Sequence, residues 1–394
     1  MKRILAWCLY DFANSAYSAV IVVAVFGVYY VSHIVGNEHG LGDLWWGRAI
    51  SMSLLLVVLT GPVLGALADR AGLRKRLFIA FTALCIVCIA LFTTLEPGMI
   101  MRGFALIALA NFAFESSQIY YNAYLPDIAP AERLGAVSGL GFAIGYLGSI
   151  VGLVVALPLV NSRQFNLLWV LVAAFFAVFS IPAFLAMPAD RAQPDKHVNL
   201  VRIFRDVLGN QALRRFLLAY FIYFDGVETT IVFSGIYAAT TLKFSTPEVI
   251  KLFLAVQFSA LFGALLLARP TDRWGAKRVI TLTLFLWVGV SVSAYFAATK
   301  PAFVAVAVTA GLGLGSIQAA SRALMASLIP VGKESELFGF YALCGKSSSI
   351  LGPLVFGAVS YLAGNQRAAV AAVGVFFVVG LVLLQRVRPA LRPS

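Results

Sequence analysis

Asp11, Glu115, Asp225, Glu228, Arg322 and Lys346 stand inside otherwise apolar stretches of this 394-residue chain. An ionisable side chain at the centre of a spanning helix costs about 2.5–3.5 kcal/mol on insertion scales, so such residues face a cavity or a partner. Two chemistries suit them. Desolvation raises a carboxyl pKa and a nearby cation lowers it, so a carboxylate alternately wet and dry can take up and release a proton. Arg322 and Lys346 can hold a carboxylate or another anionic group of a solute. The competing reading is a set of structural ion pairs, for example Glu115 with Arg322.

Polar company favours the cavity. Glu115, Gln118 and Asn122 recur at i, i+3 and i+7 and share one helix face, with Asn111, Ser116 and Tyr121 beside them. Asn14, Ser15, Tyr17 and Ser18 follow Asp11, Gln318 precedes Arg322 by one turn, and Tyr223 and Thr229 flank Asp225 and Glu228. Substrate contacts are therefore expected from Asn14, Tyr17, Glu115, Gln118, Tyr121, Asn122, Gln318, Arg322 and Lys346. Proton uptake is expected from Asp11, Glu115, Asp225 and Glu228.

The elements that position these residues follow from composition. The chain is 61% hydrophobic and 12% charged, against about 45–50% and about 25% for a soluble domain. So little charge cannot coat a soluble surface. This excludes a water-soluble enzyme and a free nucleic-acid-binding protein despite the net charge of +13, and high hydrophobicity excludes disorder. A spanning helix needs about 20 apolar residues. The runs between charged or Pro/Gly breaks give twelve spans: 5–33, 44–68, 77–95, 102–125, 135–160, 166–187, 213–241, 248–269, 278–298, 301–328, 337–362 and 367–386. An even count puts both termini on one side. Arg48, Arg102, Arg163, Lys243, Lys251, Lys300 and Arg367 then form a sparse outer set, and the other loop cations lie with the termini, which makes that side cytoplasmic. The basic residues would meet anionic headgroups rather than DNA.

Other chemistry is not legible. No G-x-x-x-x-G-K-[ST] loop is present, and no Ser-His-Asp set. His33, His39 and His197 are scattered. Cys85 and Cys88 form a C-x-x-C without a nearby His or acid, which reads as core packing. No cofactor and no metal are expected. The run after Met1 holds Asp11 and Asn14 and is too long for a cleavable signal peptide.

The longest cytoplasmic connection, 188–212, separates a six-span bundle at 1–187 from another at 213–394. Its Val201, Phe204 and Leu208 would share one face of a short helix on the inner membrane surface; a solvated linker is the alternative. The halves repeat. GALADRAGLRKR at 65–76 echoes LARPTDRWGAKR at 267–278, so that Asp69-Arg70-x-Gly72 matches Asp272-Arg273-x-Gly275. Pro126 with Gly135 and Pro330 with Gly339 repeat one spacing. In 141–152, the glycines at 141, 145, 148 and 152 allow another helix to approach closely.

GALADRAGLRKR resembles the signature loop between helices 2 and 3 of the major facilitator superfamily, and the echo at 267–278 strengthens the likeness. The opening WCLYDFANSAYSAVI is similar to that of the vacuole-effluxer-like branch, which includes fungal vacuolar amino-acid exporters. The resemblance implies an all-α membrane protein, with twelve transmembrane helices in two pseudo-symmetric six-helix bundles. It implies that helices 1, 4, 7 and 10 line a central cavity. Asp69, Arg70, Arg74, Asp272 and Arg273 would gate the cytoplasmic side. Asp69 would face the start of helix 11 near Leu337, and Asp272 the start of helix 5 near Gly135, each carboxylate at a helix N-terminus. Arg70, Arg74, Arg273 and Lys277 would pair locally. Ala268 and Pro270, where the first copy has Gly65 and Leu67, imply looser packing in the second.

The function expected is secondary transport of a small polar or zwitterionic, amino acid-like solute by alternating access, coupled to protons. The partners are then substrate, protons and the lipid bilayer, with the chain a monomer in a bacterial inner membrane. An exporter of amphipathic drugs or lipids is the nearest alternative, and a non-transporting membrane receptor an alternative of another class.

Overall fold

The computed structural model describes residues 1–36, 41–189, 205, 207–348, 351–363 and 366–387. Among them no strand is present; the protein is all helix. The long helices are α1 (Lys2–Tyr17), α2 (Leu41–Ala71), α3 (Arg74–Leu91), α4 (Ile100–Ala123), α5 (Leu134–Asn161), α6 (Phe165–Ala186), α7 (Gln211–Thr240), α8 (Thr246–Leu266), α9 (Ala276–Phe296), α10 (Lys300–Leu328), α11 (Glu334–Ser348), α12 (Leu351–Ala363) and α13 (Gln366–Gln385). Ten helices among the described residues are long and apolar enough to cross a membrane. The other expected spans fall on α4, whose 24 residues include Asn111, Glu115, Ser116, Ser117, Gln118 and Asn122, and on α11 with α12, described as pieces of 15 and 13 residues. Most of the proposed linker helix lies outside the described residues. Of its described positions, Val207 is buried, while Arg205 and Leu208 are exposed.

Local chemistry sets several helix ends. Asn210 accepts from the Leu213 N–H (3.1 Å) and caps α7, and Thr299 does the same for Ala302 (3.4 Å) at the start of α10. In both copies of the basic loop the motif glycine turns the chain: Gly72 has φ 63° and Gly275 φ 88°, conformations that side chains resist.

The first span departs from one regular helix. After Tyr17 the chain continues as a π-helix over Ser18–Ala24, an α-turn over Phe26–Tyr29 and a second π stretch over Tyr30–Val35. Val20, Ile21, Val22, Val23 and Val25 are β-branched, and such side chains crowd the preceding turn of an α-helix.

Two compact units form. The first comprises Met1–Ile128, Ile144–Val198 and Val331–Ala342; the second comprises Ala129–Ala143, Asn199–Pro330 and Leu343–Ser394. Within the first, α3 packs on α4 and α6, α1 on α6, and α2 on α4. Gly148 of α5 lies so close to α1 that a Cβ there would sit 2.0 Å from the Phe12 carbonyl oxygen. The thiols of Cys85 and Cys88 are unbonded to each other and buried in α3. Within the second unit, α8 packs on α10, α9 on α10 and α13, and α7 and α12 on α13. Gly315 of α10 meets the Ala260 carbonyl of α8 as closely as Gly148 meets Phe12.

Candidate functional site

In the first unit, α1 and α4 carry the polar residues. Asp11 and Asn14 are buried, and the Asn14 amide donates to Asp11 Oδ1 at 3.4 Å. Glu115, Gln118 and Asn122 are half-buried among buried neighbours, as positions sharing one face would be. Tyr17 packs on Phe114 with ring centroids 4.6 Å apart. Its hydroxyl and the Gln118 Nε2 are both buried, with no hydrogen-bond partner among the described residues, whereas buried polar atoms normally have one. Tyr121 is wholly covered: Trp7 stacks on its ring at 4.5 Å and donates its indole N–H to the Tyr121 carbonyl at 2.9 Å. A second network escaped the sequence reading. The Tyr10 hydroxyl donates to Ser117 Oγ (2.9 Å) and hydrogen-bonds Thr82 Oγ1 (2.9 Å). Nothing local in the sequence joins Tyr10 to Thr82 or Ser117; only the packing of α1 on α3 and α4 does.

In the second unit, Asp225 is wholly buried. Its two oxygens share the backbone N–H of Gly352 at 2.9 and 2.8 Å, at the start of α12. Glu228 and Gln318 are half-buried. Arg322 is 3% exposed and bonds Ser138 twice, Nε to Oγ at 3.0 Å and Nη2 to the carbonyl at 2.7 Å. Its guanidinium lies 4.0 Å from the Phe142 ring centroid, a cation–π geometry. Ser138 in turn donates to the Ala319 carbonyl (2.8 Å). The seat of Arg322 is thus the first turns of α5, which sequence reasoning valued only for glycines. Lys346 is half-buried on α11.

The two basic loops are built differently. Asp69 is 6% exposed; its Oδ2 accepts from the Glu336 N–H (2.8 Å) and its Oδ1 from Arg74 (3.0 Å). Arg74 also bonds Glu334 (2.9 Å), Asp127 and the Ala123 carbonyl (3.3 Å), and covers the Tyr124 ring. Burial raises the Asp127 carboxyl above its ordinary range even though Arg74 pulls it down. In the second copy, Asp272 accepts from the N–H groups of Gly135 (2.6 Å) and Ala136 (2.9 Å).

Arg74 pairs locally with Asp69, as implied for the cations. Arg70 reaches Glu336 at 3.6 Å. Lys277 donates to the carbonyls of Gln385 (2.8 Å) and Val387 (2.7 Å), and Arg273 is exposed. In the second copy, small residues on α5 face Ala268 and Thr271: a Cβ on Gly139 or Gly135 would lie 2.5 Å from their side chains.

Comparison with known proteins places this geometry. Residues 129–389 match the family model "Vacuole effluxer Atg22 like", and residues 3–153 match that of the Major Facilitator Superfamily. The uncharacterized MFS-type transporter YxiO of Bacillus subtilis (strain 168) is 30% identical, over 96% of this chain and 93% of its own length. Autophagy-related protein 22 of Cryptococcus neoformans is 28% identical over 64% of this chain, which spans 50% of that longer protein. Among solved structures, the human organic anion transporter MFSD10 superposes with a TM-score of 0.83 at 16% identity, covering 98% of this chain and 99% of that one. FucP in its outward conformation gives 0.79 at 13% identity, covering 99% and 100%. These two likenesses establish the fold alone. The matched residues and their extent establish the family: this chain is an integral, multi-pass membrane protein of the Atg22-like branch of the major facilitator superfamily, a transporter family and not an enzyme.

Proposed function

We propose that the protein moves a small polar or zwitterionic, amino acid-like solute across the membrane by alternating access, driven by a proton gradient. The observation that carries this reading is the burial of ionisable groups of both signs within spans: Asp225 is 0% and Arg322 3% exposed. Such placement is costly unless used. Glu115, with Gln118, Asn122, Asn14, Tyr17 and Tyr121, would offer acceptors and donors to an ammonium and a polar side chain. In the second unit, Arg322, with Gln318 and Lys346, would offer cations and an amide to a carboxylate or another anionic group. The family description, an effluxer, and the fungal relatives support export of such a solute.

Asp225 supplies the coupling step in this reading. As a carboxylate it attracts the Gly352 N–H of α12. Protonation removes the charge, and the start of α12 loses its hold on α7. Asp11, Glu115 and Glu228 are further proton sites. The loops act as gates: Asp69 with Arg74 and Arg70 fastens the start of α11, and Asp272 fastens the start of α5, while Arg273 lies outside the contact. Two six-span bundles, 1–187 and 213–394, would make up the transporter, the chain acting as a monomer with both termini cytoplasmic in a bacterial inner membrane.

The test is Asp225→Asn and Glu115→Gln in proteoliposomes. Either variant should lose uphill, gradient-driven transport roughly tenfold or more, the scale of removing a group matched to its proton-transfer task, while solute exchange without a gradient persists. Full coupled transport by both variants would remove the proton-site assignment.

A further inference from the structure

The two copies of the basic loop differ in whether carboxylates hold their arginines. In the first, Arg70 and Arg74 are 15% and 11% exposed, held by protein carboxylates. In the second, Arg269, Arg273 and Arg278 are all exposed. Among the described residues, no carboxylate lies within ion-pair distance of any of the three. The nearest acid in sequence, Asp272, is engaged by the Gly135 and Ala136 N–H groups.

These arginines also end two apolar stripes. Phe258, Phe262 and Leu266 lie along one face of α8 at helical spacing, 48%, 60% and 69% exposed. That spacing continues through Arg269 and Arg273 on the short helix Ala268–Trp274. On α9, Arg278 begins a face that continues through Leu282, Phe285, Val292 and Phe296, which are 52%, 59%, 52% and 72% exposed. Trp274, half exposed, lies between them in the chain. In a membrane-spanning chain, exposed apolar stripes meet acyl chains. Indoles concentrate at the headgroup level, and clustered arginines beside them attract anionic headgroups.

We propose that this corner of the second unit binds an anionic phospholipid. Its phosphate would sit among Arg269, Arg273 and Arg278, the Trp274 indole at the headgroup level, and its acyl chains along the α8 and α9 stripes. The lipid then supplies to the second loop the negative charge that Glu334, Glu336 and Asp127 supply to the first.

The experiment compares full-length protein reconstituted with an equimolar mixture of phosphatidylglycerol and phosphatidylcholine. Co-purifying lipid is counted by native mass spectrometry for the wild type, for R269Q/R273Q/R278Q, and for R76Q/R102Q/R163Q, which loses the same charge at exposed sites elsewhere. At about a factor of five per arginine, the preference for phosphatidylglycerol should fall on the order of 100-fold in the first variant and persist in the second. Equal preference in wild type and R269Q/R273Q/R278Q would overturn the proposal, as would an equal loss in the control variant. Displacement of the lipid by soluble glycerol phosphate at matched concentration would overturn the lipid assignment in favour of a free anion.

Discussion

Single residues show how much a sequence withholds about partners. The burial of Asp225 and Arg322 was legible, because a charge in an apolar run is conspicuous. Their seats were not. Gly352, Ser138 and Phe142 are ordinary residues for a membrane helix and are distant in the chain, so only the fold selects them. A smaller residue-scale case lies at the mouth of α8. Glu248 accepts from the Ser245 N–H (2.7 Å) and from Lys300 (2.8 Å). The Lys300 hydrogen bond, then those from Ser245, lower its carboxyl from 4.5 to about 2. A depressed carboxyl stabilises the folded state above its unfolded pKa, and that contribution is lost as pH falls toward the folded value. The Tm difference between wild type and Glu248→Gln should therefore be constant above about pH 5 and shrink toward zero near pH 2. A difference independent of pH across that window would contradict the assignment.

Elements show where periodicity succeeds and where side-chain crowding overrides it. Most span limits follow apolar run length, and the close approach of α5 to α1 was visible as glycine spacing, with Gly148 against the Phe12 carbonyl. The π stretches of the first span were not visible, since a run of valines reads as a helix by hydropathy while its branching opposes the α-helical turn. The repeated loop was the most legible element, because its glycines, carboxylates and cations have separate duties. Its asymmetry was hidden, because the acids that complete the first copy, Glu334, Glu336 and Asp127, lie far from it in sequence. In the proposed gate, Asp69→Asn keeps the Glu336 N–H acceptor but removes the charge facing Arg74. It should slow cycling several-fold, as loss of about 1 kcal/mol at a helix terminus implies, and leave substrate affinity near the wild-type value. Stopped-flow transport beside equilibrium binding checks this, and a large loss of affinity with unchanged cycling would count against the gate.

At the scale of the molecule, composition alone excluded the soluble classes, and the internal repeat announced the architecture. The boundary between compact units was less accessible. The chain division at 188–212 follows loop length, whereas Ala129–Ala143 and Val331–Ala342 pack with the opposite sequence half, through contacts such as Gly135 N–H to Asp272 and Glu336 N–H to Asp69. The central claim, proton-driven movement of an amino acid-like solute, is tested most directly by uptake of a pooled radiolabelled amino-acid mixture into proteoliposomes, with and without an imposed pH gradient. The expected result is accumulation that depends on the gradient and is abolished by a protonophore. Folded protein that accumulates nothing from the pool, or accumulates it equally without a gradient, would contradict it.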